Sequence, residues 1–194
     1  MDELKKLMDS LGLEKQLSVN EMPGVDLYMD QVIQLFENKY GDTKRYEDEK
    51  ILTKTMINNY AKGKLFFPVK KKKYTRDHLI MISLIYQLKG ALSINDIKGV
   101  LDGVNTQAVS GELDLEAFYS AYLEICTKNN AGFTNELEKR AEVVDLLCDS
   151  GNSEEDNRIV LLIASLVHMS NMYRRVAEKL ADQLRENTHS EENE

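Results

Sequence analysis

The stretch LTKTMINNYAKGKLFFPVKKKKYTR, residues 52–76, decides how this sequence reads. Thr53 precedes a short run in which Met56, Ile57 and Tyr60 fall three and four apart. That spacing predicts a capped helix reaching Lys62, with Gly63 just past its end. If those three apolar side chains turn inward, Lys54, Thr55, Asn58, Asn59 and Lys62 are left on the other side. Beyond the helix, Pro68 and four consecutive lysines interrupt helical structure, so residues 65–73 are expected to form a turn or a small β-ribbon. A short helix fits the major groove when its outward face is small, polar and hydrogen-bonding. Asparagine pairs bidentately with adenine, and threonine meets a thymine methyl or a phosphate. Lys70, Lys71, Lys72, Lys73 and Arg76 are then expected to lie along a phosphate backbone. Taken singly, paired asparagines and a lysine run are ordinary solvated features. Their combination behind one threonine cap is what carries the reading.

Charge along the chain sharpens it. Residues 50–90 hold ten Lys/Arg and one acid, Asp77, a balance of +9. The residues before carry −6 and those after −11, within a chain of net charge −8. A basic island in an acidic protein points to a local polyanion contact, with the surrounding acid discouraging nonspecific binding.

Working outward, the chain of 194 residues suits one moderate domain or a small domain with a helical addition. Its 42% apolar and 30% charged residues are those of an ordinary soluble protein, and only two prolines occur, which favours helices. Cys126 and Cys148 lie on apolar helix faces and are expected as reduced core residues. The first residues lack a signal peptide's apolar stretch, and the longest apolar run, 159–167, is too short to span a membrane, which predicts a cytoplasmic protein. Residues 1–24 read as a helical segment that ends in the Met22-Pro23-Gly24 turn. Asp26 then caps a helix carrying Met29, Val32, Ile33 and Phe36. Thr75 caps another with Leu79, Ile82 and Ile85 on its face, and Ser93 opens a third with Ile97, Val100 and Leu101.

Residues 102–111 read as a linker, followed by a C-terminal helical part over 112–187 for dimerisation or sensing. In that part Leu115 to Cys126 and Leu137 to Cys148 mark two helices, the second stopped by Gly151. A long last helix opens at Ser153, and residues 188–194 form an acidic tail. Along the long helix Ile159, Leu162, Leu166, Met169, Tyr173, Val176 and Leu180 alternate by three and four, the spacing of a coiled-coil seam. Val160, Ile163 and Val167 add a second apolar face, so packing within the chain and a homodimer seam are both open.

Two resemblances then become visible. Residues 52–68 resemble the recognition helix and following turn of MerR-type winged helix-turn-helix regulators, with Thr53 at the cap, Ile57 and Tyr60 in the core, and Leu65 to Pro68 in the turn. Tyr74, Leu79, Ile85, Ser93, Ile94, Ile97 and Leu101 follow that family's core pattern. Asn58 and Asn59 stand where those relatives carry Arg and Tyr, and Lys64 stands at their turn glycine. From about Val25 to Leu101 the chain is more closely similar to a bacterial family known only as domain of unknown function 1836, above all in YEDEKILTKTMINNY, residues 46–60, and in Lys72, Lys73 and Tyr74. The resemblance implies a MerR-like DNA-binding domain over 25–102 and no particular ligand.

Nothing in the sequence asks for an enzyme, a cofactor or a metal. His78, His168 and His189 lie far apart, away from any Cys or carboxylate at ligand spacing. His78, in the first turn of its helix, is expected at the surface. No glycine-rich phosphate loop is present. The expectation is therefore a mainly α protein, a winged-helix, MerR-like part followed by a C-terminal helical part with one long helix. Its expected role is a transcriptional regulator that binds double-stranded DNA and answers to an unknown effector. The alternatives are a protein-interaction module that docks an acidic partner through the same basic helix and loop, and a small-molecule-responsive helical receptor. A pocket lined by Tyr119, Tyr122, Met169 or Tyr173 would favour the last.

Overall fold

A helix with no polar face must sit at the centre of its fold, and LIMISLI, residues 79–85, makes such a helix. In the computed structural model, which describes residues 2–148 and 155–191, every residue from His78 to Ile85 is buried. That helix is α4 (Arg76–Leu88). Before it come α1 (Asp2–Ser10), α2 (Met29–Tyr40) and α3 (Lys54–Lys62); after it come α5 (Ile94–Ser110), α6 (Leu115–Cys148) and α7 (Glu155–Glu191). The described strands are two short ones, β1 (Leu27–Tyr28) and β2 (Lys73–Tyr74), paired antiparallel with Leu27 opposite Tyr74 and Tyr28 opposite Lys73. The fold is mainly α, as the composition predicts. Among the described residues no helix is long and apolar enough to cross a membrane.

The chain divides into two units, Lys15–Glu124 with Glu178–Glu194, and Met1–Glu14 with Ile125–Ala177. The first holds the large core. Around α4 it buries Val32, Phe36 and Tyr40 of α2, Ile57 and Tyr60 of α3, Ile97 and Leu101 of α5, and Leu115 and Tyr119 of α6. Two tyrosine hydroxyls in it find partners on Leu17: Tyr40 Oη accepts from the Leu17 amide at 3.1 Å, and Tyr119 Oη donates to the Leu17 carbonyl at 2.7 Å. The second unit has little interior. Among its described side chains only Leu137, Val144 and Cys148 are buried, and Cys126 and Cys148 are free thiols.

Several elements differ from the sequence reading, each for a local reason. Residues 102–110 are not a linker but the second half of α5, which ends at Gly111 with φ of 80°. Ile97, Leu101, Val104 and Ala108 keep a helical spacing straight through Gly103, so one apolar face outweighs weak propensity. The two helices expected over 115–148 are one helix, because nothing in residues 127–136 breaks the backbone ladder. Asp26 is not the cap of α2. Leu27 and Tyr28 are drawn into the strand pair first, and the Tyr28 amide donates to Gln31 Oε1 at 2.8 Å. The tail expected from Thr188 continues as helix to Glu191. Gly151 and Ser153, read as the stop and start of neighbouring helices, lie outside the described residues, as does the end of the tail.

The exit from α3 reverses an assumption about its glycine. Gly63 keeps an ordinary right-handed φ of −72°, while Lys64 takes the left-handed one, φ 57°. The Leu65 amide donates to the Tyr60 carbonyl at 3.0 Å and the Lys64 amide to the Ala61 carbonyl at 3.1 Å, the paired bonds of a Schellman ending. Gly63 serves space instead: a Cβ there would stand 2.6 Å from Leu65 Cδ1 and 3.2 Å from the Asn59 carbonyl. Left-handed backbone costs a lysine about 1 kcal/mol relative to glycine. Lys64→Gly is therefore expected to raise the thermal midpoint by about 2–4 °C, read by circular dichroism melting. An unchanged or lower midpoint would refute the strain.

Candidate nucleic-acid interface

The residue types along 52–62 sort α3 into two faces. Leu52 is buried at its entrance, and Thr53 caps it, its Oγ1 accepting from the Met56 amide at 3.1 Å. Ile57 and Tyr60 are buried, and Met56 is half-buried beside them. Lys54, Thr55, Asn58, Asn59 and Lys62 are all exposed. No acid lies in the helix. Lys54 reaches back to α2, its Nζ 2.7 Å from Asp30 Oδ1, but both side chains are well exposed and such a pair contributes little.

The turn after α3 is anchored by aromatic packing. Phe66 is buried edge-on against Tyr74 and His78, with ring centroids 6.4 and 5.8 Å away, and Phe67 lies 4.3 Å from His78. The chain then reaches the lysines, which form a tight turn closed by the Lys73 amide donating to the Lys70 carbonyl at 3.0 Å. Lys71 and Lys72, at its tip, both have positive φ, 53° and 60°. Hairpin turns of that hand suit the twist of the flanking strands, and they normally carry Asn and Gly. Here two lysines hold the strained positions, so the tip presents charge at a cost in stability. Lys70, Lys71 and Lys72 are exposed, whereas Lys73 is half-buried with its Nζ 5.8 Å from the centre of the Tyr28 ring.

Arg76 stands apart from this set. It opens α4 and its Nη1 meets Glu116 Oε1 of α6 at 3.0 Å, so its charge is engaged by a carboxylate of the same unit. The residues read from the sequence thus gather on two surface elements, α3 and the lysine turn, with Arg76 on neither. Among the described residues no cluster of His, Cys, Asp and Glu is placed to hold a metal ion.

His78 is where the sequence reading failed. Expected at the surface, it is 3% exposed. Its position at the third residue of α4 lets the ring turn back on the cap: Nδ1 accepts from the Thr75 amide at 3.1 Å and lies 2.8 Å from Thr75 Oγ1. The aromatic residues Phe66, Phe67 and Tyr74 then close over it, a signal present in FFPV and KKYT but invisible to helical periodicity. Burial pushes the imidazole below the ordinary histidine value of 6.5, opposed by the Phe67 and Pro68 carbonyls and by Asp77 and Asp26. A folded-state value below the unfolded one means that the unfolded chain takes up the proton first. Stability from this ring is full above about pH 6.5 and is lost as pH falls from there toward the folded value. The thermal midpoint should therefore drop between pH 7 and 5.5 by more in the native chain than in His78→Phe. Parallel pH profiles would count against it.

The lysine turn, the capped helix and the core under them all lie within Lys15–Glu124. The family model for the domain of unknown function DUF1836 matches residues 17–122. The chain belongs to that family. The DUF1836 match begins and ends within two residues of Lys15–Glu124, the longer of the two spans of the larger unit, and so extends beyond residues 25–101. It takes in Leu17 and Tyr119, whose buried hydrogen bond joins the two ends of the domain. The chain matches none of the curated proteins and none of the solved structures compared with it.

Proposed function

We propose that this DUF1836 protein is a transcriptional regulator that binds double-stranded DNA through a MerR-like winged helix-turn-helix arrangement. In this reading α3 lies in the major groove. Asn58 and Asn59 meet base edges, Thr55 meets a thymine methyl or a phosphate, and Thr53, Lys54 and Lys62 meet the backbone. Lys70, Lys71 and Lys72 neutralise further phosphates across the lysine turn. Lys73 is secondary, and Arg76 contributes only if it leaves Glu116. The observation that carries the reading is the outward face of α3, short, capped, free of acid, and polar at every exposed position but Ala61, within a segment of charge +9. Selection from a random duplex library at several salt concentrations tests it. An enriched sequence with salt-dependent affinity is expected. Absence of enrichment at low salt, with capture of an acidic peptide instead, would turn the reading to a protein-docking module.

Palindromic recognition needs two copies, and α7 offers a surface for a second one. Of its seam, Ile159, Tyr173, Val176 and Leu180 are exposed, while Leu162, Leu166 and Met169 are half-buried. Apolar side chains left uncovered at that spacing along one helix are what a coiled-coil seam buries. Sedimentation at micromolar concentration should give a dimer, and Ile159→Asp with Val176→Asp should halve the mass. A native chain that sediments as a monomer would remove the seam.

A further inference from the structure

In the larger unit, α4, α5, α6 and the C-terminal end of α7 line a half-open apolar pocket of about 320 Å³, with Phe118 and Leu184 exposed at its mouth. Leu84 of α4, Val100 and Val104 of α5, Phe118 and Tyr122 of α6, and Leu184 of α7 form its walls. None of the lining side chains is charged. Gln87 supplies an amide at the edge, but that amide already donates to Gln16 Oε1 at 2.8 Å. One wall is rigid, because Tyr122 stacks at 5.8 Å on Tyr119, which is fully buried and hydrogen-bonded to Leu17. The wall from α7 is held separately. Arg185 Nη2 lies 2.9 Å from Asp96 Oδ1 at the start of α5, and its chain crosses Gly99, where a Cβ would stand 2.8 Å from Arg185 Cγ.

We propose that this pocket is a binding site for a small, uncharged, apolar molecule. The volume falls at the lower end of the range of ligand pockets, and at about 30 Å³ per water-sized group it holds about ten non-hydrogen atoms. An uncharged ligand is favoured, because the lining is hydrocarbon and offers an ionised one no counter-charge. The occupant touches the central helix and the far end of the chain at once, so it joins α7 to α4 and α5. This assignment stands whether or not α3 reads DNA.

Toluene is a suitable probe, and benzoate is its charged counterpart. Titrating the full chain with each, and following methyl groups by carbon–proton NMR, separates the outcomes. Toluene is expected to give saturable shifts at Val100, Val104 and Leu184, with Val143, Val160 and Val176 unmoved, and benzoate to give none. Val104→Phe fills the space and should weaken toluene by about tenfold or more. If that variant does not fold, Val104→Ile should still weaken it severalfold. Equal shifts at the exposed valines, equal binding of benzoate, or native affinity in the filled variants would overturn the proposal.

Discussion

Replacing Lys70, Lys71 and Lys72 with alanine is expected to lower affinity for duplex DNA by about two to three orders of magnitude near 0.1 M salt. The magnitude follows from counterion release, in which each neutralised phosphate contributes about 0.9 to the log–log salt slope, so three removed contacts lower the slope by about 2.7. These three are chosen because their ammonium groups are exposed at the turn, while Lys73 lies against Tyr28 and Arg76 pairs with Glu116. The loss should be uniform across sequences, since phosphates carry no base identity. Alanine is no more at ease than lysine with φ near 55°, so the turn keeps its strain and the melting midpoint serves as a control for folding. A salt slope that stays at its native value would show that the lysine turn does not touch the backbone.

How much of this was legible in the sequence depends on the range of the forces involved. The two faces of α3 were, because a helix nine residues long buries its apolar stripe wherever it docks, and Ile57 and Tyr60 are spaced to form one. The Thr53, Thr75 and Ser93 caps were legible for the same reason, being contacts within one turn. The extent of α5 and α6 was misread where local propensity pointed one way and a continuing apolar face the other. At Gly103 and at Gly132 a Cβ would meet nothing within 4 Å, so neither glycine marks a turn or a close approach. His78 was misread because its burial is set by Tyr74 together with Phe66 and Phe67, and the two phenylalanines arrive from the other side of the lysine turn. The apolar pocket is legible only in Tyr122, because its other walls come from separate stretches of four helices.

The second large effect belongs to Asn58 and Asn59, and it separates reading of bases from attraction of charge. Changing both to alanine is expected to weaken the selected sequence by about tenfold to a hundredfold for each pairing lost, at roughly 1–3 kcal/mol per bidentate contact. Affinity for unrelated duplex and the salt slope should stay near native values, because neither side chain carries charge. The fold should not suffer: both positions are exposed on α3, and alanine is the better helix former. Thr53→Ala gives the contrast. It removes the hydrogen bond to the Met56 amide and should cost about 1 kcal/mol of stability without shifting base preference. An acidic protein partner would be indifferent to the asparagines and sensitive to the lysines, since it offers charge without base edges. Binding that survives the double asparagine change with its preference intact, yet fails on loss of the lysines, would therefore transfer α3 from the major groove to an acidic surface.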